Sequence, residues 1–128
     1  MAGAKKKLTI ADLIAKKTEK EKKKHESKLF YVESLGGEVL LERPEDDVIL
    51  KALDMFKDES LSSIMEGYIF LIYNSVALFR NPELHKEYEV LDPLDIVSKL
   101  LELSERMGMG EEILKMTRMQ SVGEDLKN

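Results

Sequence analysis

The stretch LIYNSVALFRNPELHKEYEVLDPLDIVSKLL, from Leu71 to Leu101, constrains this chain more than any other. An almost wholly apolar segment stops at Arg80-Asn81-Pro82, and the chain restarts again at Asp92-Pro93. Proline cannot donate the hydrogen bond that a helix interior needs, but at the first helical position that N–H would be unpaired anyway. Asn and Asp are favoured caps immediately before it. The two pairs therefore predict a long helix ending near Phe79, a short one from Pro82 and another from Pro93. Ser60 is the expected cap of the long helix, which carries Leu61, Ile64, Met65, Tyr68, Leu71, Ile72, Ser75 and Phe79 at helical spacing. Its C-terminal half is apolar on most sides, which requires burial on more than one face.

The same punctuation extends upstream. Pro44 opens an acidic turn, Glu45-Asp46-Asp47, and Val48, Ile49, Ala52, Leu53 and Phe56 follow at helical spacing. Before it, Leu29-Phe30-Tyr31-Val32 and Val39-Leu40-Leu41 are β-prone runs joined by Ser34-Leu35-Gly36-Gly37, the pattern of a hairpin. A hairpin of this size is too small to stand alone and must pack on helices. Ile96, Val97, Leu100, Leu101 and Leu103 form an amphipathic stripe ending near Gly108 and Gly110, which read as a helix stop, and a last short helix runs from Glu111 to about Gln120. At the other end, Thr9 and Asp12 have capping-box spacing. The pattern then dissolves into KKTEKEKKKHESK, which has no apolar stripe. The expected fold is α+β and mostly α: an N-terminal β-hairpin packed on a bundle of about four to five helices. Residues 1–27 form a basic arm, helical or disordered. Residues 28–128 form one globular domain, with the hairpin at 28–43, helices over 44–121 and a polar tail at 122–128.

Charge divides the chain in the same place. Residues 1–28 hold ten lysines against four acids, a net of +6, whereas the remainder holds ten basic groups against twenty-one acids, a net of −11. The lysine run lacks arginine and interleaved aromatics, and the acidic body would repel a duplex, so no specific nucleic-acid binding is expected. A solvated arm is the first reading, and weak contact with an acidic partner the second.

Reactive chemistry is sparse. There is no cysteine, which removes disulfides, thiolate metal sites and a cysteine nucleophile. His25 and His85 stand in charged contexts, and the acids at 45–47 lack a second ligand cluster. Gly36-Gly37 is followed directly by no helix and no Lys-Ser/Thr pair, and Gly108-Met109-Gly110 follows a helix rather than a strand, so neither reads as a phosphate loop. No catalytic residue, cofactor or metal is expected, and the chain is read as a non-enzyme. No run approaches the roughly 20 apolar residues of a membrane span, and no apolar stretch follows the first lysines. A cytoplasmic protein without membrane contact is expected.

One compositional feature points to binding. Met107, Met109, Met116 and Met119 fall within thirteen residues, and methionine suits surfaces that accommodate varied partners. They also suit a core between two helices, which is the commoner use. The segment Leu71 to Phe79, with Asn81-Pro82-Glu83-Leu84, Tyr88-Glu89-Val90, Asp92-Pro93-Leu94-Asp95-Ile96-Val97 and Lys99-Leu100-Leu101, resembles the XkdN-like tail assembly chaperones of phages and phage-derived contractile-tail elements of Gram-positive bacteria. The similarity spans about residues 45 to 105. It implies a non-catalytic protein that keeps the tape measure protein, a very long helical client, soluble until tail tube subunits polymerise around it. The implied partner is that client, with the tail tube protein and self-association also open, and the protein would be absent from the mature particle. Leu103, Met107, Met109, Ile113, Met116 and Met119 are the candidate client-binding residues. Two other classes stand beside this: a minor structural component of the tail, and a nucleic-acid-binding accessory factor acting through the arm.

Overall fold

The computed structural model describes residues 5–119. The tail from residue 120 onward, including the end of the expected last helix, lies outside the described residues. The chain begins with two short helices, α1 (Ile10–Ala15) and α2 (Lys17–Lys24), then the antiparallel hairpin β1 (Ser27–Val32) and β2 (Gly37–Glu42). Five helices follow: α3 (Asp46–Phe56), α4 (Leu61–Ser75), α5 (Pro82–Glu87), α6 (Asp95–Leu100) and α7 (Leu103–Thr117). The α+β, mostly helical expectation holds, and the described part of the arm carries the two helices α1 and α2.

The caps act as the sequence indicates at several ends. Thr9 and Asp12 cap α1 reciprocally, and Ser60 Oγ accepts the Ser63 N–H at 3.1 Å. Asn81 Oδ1 accepts the Glu83 N–H at 2.8 Å, with Pro82 at the first position of α5. Asp92 Oδ1 accepts the Leu94 N–H at 3.1 Å, but Pro93 and Leu94 form a turn and regular helix starts only at Asp95.

The hairpin pairs Leu29 with Leu40 and Val32 with Gly37. Its turn is a 3-10 segment, Glu33–Leu35, closed by Gly36 at φ +69°, a left-handed conformation that glycine adopts without a Cβ penalty. Phe30, Val32, Val39 and Leu41 face inward against the helices. The core is organised around α4, which buries Gly67, Tyr68, Leu71, Ile72 and Ser75 between α3 and α7. Tyr68 meets Phe56 of α3 edge-on, with ring centroids 5.5 Å apart.

Two expectations fail. The long helix does not reach Phe79: Val76 is extended (φ −110°, ψ 97°), and Ala77–Arg80 forms a separate 3-10 turn. That break drives Phe79 into the core while Leu78 stays 63% exposed. Nor do Gly108 and Gly110 end a helix. The break falls earlier, at Leu101 and Glu102, and α7 runs unbroken through both glycines. Tertiary contacts fix its start. Glu105 accepts the Glu102 N–H at 2.9 Å and also takes the Ser34 N–H and hydroxyl at 2.9 and 2.7 Å, tying the hairpin turn to the first turn of α7.

Candidate binding groove

The residues singled out as client-binding do not form one surface. Met109, Ile113 and Met116 are buried at the centre of the fold, because positions i, i+4 and i+7 of α7 all face α4. These three side chains are packed in the core rather than presented on a surface. Leu103 and Met107 are exposed, one turn apart on another flank of α7, and Met119 is half-buried just beyond the helix.

An apolar concavity of the described residues lies elsewhere. Leu35 of the hairpin turn, Val39 of β2, Leu78 and Phe79 of the 3-10 turn, Leu84 of α5 and Leu100 of α6 enclose a groove of about 560 Å³. Asn81, Glu83 and Glu87 complete its lining. Seven of the nine lining residues fall within the Leu71–Leu101 segment. That segment therefore builds most of the groove.

Local geometry holds the groove open. The carbonyl of Phe79 can only accept, so His85 donates through Nε2 at 2.6 Å and pins α5 to the 3-10 turn. The His85 ring also lies 6.0 Å from that of Tyr73, and Arg80 donates to the Tyr73 carbonyl at 2.8 Å. His85 is thus half-buried and structural rather than a surface histidine. These bonds fix Phe79 inward and leave Leu78 at the mouth. Nothing in the linear pattern distinguishes Leu78 from its apolar neighbours. Only the break at Val76 does.

Two more apolar surfaces are open. On the outer face of the hairpin, Leu29 and Leu40 pair across the strands beside Tyr31, and all three are exposed. On the arm, Leu8, Ile10, Leu13 and Ile14 are exposed, and no residue of α1 or α2 is buried. The spacing of that stripe was legible in the sequence. Among titrating groups, burial first and the nearby Glu111 charge second push the Tyr68 hydroxyl up. The Lys28 ammonium, 2.6 Å away, holds Glu112 below the usual carboxylate range. Neither group sits in the groove. Among the described residues no three His, Asp or Glu side chains gather as a metal site requires, and no helix is long and apolar enough to cross a membrane.

Set against protein-family profiles, curated proteins and solved structures, the chain matches none.

Proposed function

We propose that this protein is a tail assembly chaperone that binds apolar helical segments of a tape measure protein and keeps them soluble in the cytoplasm until the tube closes around them. The observation that supports this reading is the acid-rimmed apolar groove, with Leu78 at its mouth, built from the segment that resembles the XkdN-like chaperones. A long amphipathic client exposes apolar stripes that would aggregate, and a groove of this kind accepts one turn or two of such a stripe. Several copies along one client add avidity that no single contact supplies. The function asks for no bond making, and the groove lining offers apolar side chains, one amide and two carboxylates.

The test is co-expression of the full chain with a tape measure protein encoded in the same phage or phage-like element. Wild type should bring the client into the soluble fraction and co-purify with it. Leu78→Glu should lose co-purification while its circular dichroism and unfolding midpoint stay those of wild type, and Leu103→Glu should retain the client. An unchanged soluble yield of client with wild type, or full retention by Leu78→Glu, would sink the reading. Stoichiometric recovery of the chain from finished tails by mass spectrometry would instead favour a structural component.

A further inference from the structure

The arm presents a formed apolar stripe, and among the described residues none of α1 or α2 is buried. Ile10, Leu13 and Ile14 share one side of α1, because residues three and four apart are neighbours on a helix surface. With Leu8 they are between 57% and 74% exposed. The helix bearing them is well defined: Thr9 and Asp12 cap it reciprocally, and Lys6 bonds the same carboxylate at 2.8 Å. Lysines bracket the stripe, with Lys5, Lys6 and Lys7 before it and Lys16 and Lys17 after it.

The groove is complementary in both respects. Leu35, Leu78 and Leu84 offer an apolar surface, and Glu83 and Glu87 add negative charge to its lining. Residues 1–28 carry a net +6 and the rest of the chain −11. The arm does not fill its own chain's groove, since none of the lining residues belongs to it. The arm joins the body at Ser27, at the open end of the hairpin, whereas Leu35 belongs to the turn at the far end. A strand of this length separates the two by roughly 17–20 Å, and α2 stands between Ser27 and the stripe.

We propose that α1 docks in the groove of a second copy of this chain, and that two copies exchange arms reciprocally to form a dimer. A reciprocal exchange is isologous, closes at two copies, and doubles the buried area relative to one arm in one groove. A basic amphipathic helix also suits an anionic lipid surface, but the charge of the body opposes that approach. The proposal shares its groove with the client reading without resting on it, since the experiment contains no client.

The experiment is sedimentation velocity on the purified full chain over a concentration series, with Leu13→Glu and Leu78→Glu beside wild type. Both positions are exposed, so circular dichroism and unfolding midpoints should match wild type. Wild type should reach a dimer, and each variant should raise the dissociation constant at least about tenfold. Going from about 0.1 M to about 1 M salt shortens the screening length from roughly 10 to 3 Å and should weaken the dimer. An equimolar mixture of the two variants, in which one intact arm meets one intact groove, should associate better than either variant alone. A chain that stays monomeric at every concentration overturns the proposal, as does a Leu78→Glu chain that dimerises like wild type. Binding of a monomeric chain to phosphatidylserine vesicles, lost in Leu13→Glu, overturns it in favour of a lipid surface.

Discussion

Gly110 of α7 lies so close to Tyr68 of α4 that a β-carbon at position 110 would sit 2.5 Å from the ring Cγ. Gly67 repeats the arrangement on α4, where a β-carbon would sit 2.4 Å from Cε1 of Phe56. Phe56 and Tyr68 are themselves in edge-on contact, so two glycines and two rings set how α3, α4 and α7 approach one another.

Gly110→Ala should therefore destabilise the protein by about 1–3 kcal/mol, since overpacking outweighs the helix propensity gained. Gly108→Ala has the opposite expectation. Its β-carbon would meet only Phe30 Cζ at 3.7 Å, an ordinary contact, so the helix-interior gain of up to about 1 kcal/mol should show. Urea unfolding midpoints measure both, and effects of the same sign at the two sites would contradict the packing described.

The methionines divide in the same way. Met109 is fully buried in the main core, and Met109→Ala should cost about 2–5 kcal/mol. Met107 is 43% exposed, and Met107→Ala should stay within about 0.5 kcal/mol of wild type. Comparable losses at both would return Met107 to the core.

Ser75 closes α4 with its hydroxyl buried and without a hydrogen-bond partner. An unpaired buried hydroxyl costs free energy that an apolar group of similar size does not. Ser75→Ala is expected to raise stability by about 1 kcal/mol, read from the denaturant midpoint. A loss of that size would reveal a bond that Oγ makes in solution.

Acid should loosen the hairpin from α7. The bonds that Glu105 takes from the Glu102 N–H, then from Ser34, hold its carboxyl below the usual range, and Lys28 does the same for Glu112. A carboxyl lowered in the folded state contributes stability that is fully present above its unfolded value of about 4.3 and is lost as pH falls through the lowered folded value. Both groups are near the surface, which keeps the contribution small. Unfolding midpoints measured from about pH 6 down to about pH 3 should fall, and the fall should be shallower in Glu105→Gln than in wild type. Identical slopes would exclude Glu105 as a source of the acid sensitivity.

Much of the fold was legible from local chemistry. Thr9, Ser60 and Asn81 cap the helices their spacing predicts, and the β-prone runs around Gly36 form the expected hairpin. The candidate binding surface was less legible. Methionine clustering pointed to α7, but exposure depends on which side of α7 faces α4, and composition does not encode that side. The helix stop was placed at Gly108 and Gly110 because glycine often follows a helix end. In the folded chain the same lack of a side chain serves the approach of Tyr68 at position 110 instead.

What the sequence by itself determined was where the side-chain-capped helices α1, α4 and α5 start, where the chain reverses and how charge divides between arm and body. These depend on groups a few residues apart: caps, prolines, glycines and runs of lysine. Only the tertiary structure decided where helices end and which leucines face outward. The break at Val76 and the start of α7 depend on contacts between distant elements, with Phe79 drawn into the core and Glu105 bonded to Ser34 across 71 positions of chain. Leu78 is at the mouth of the groove because its neighbour Phe79 is buried, and burial is a property of the packed whole.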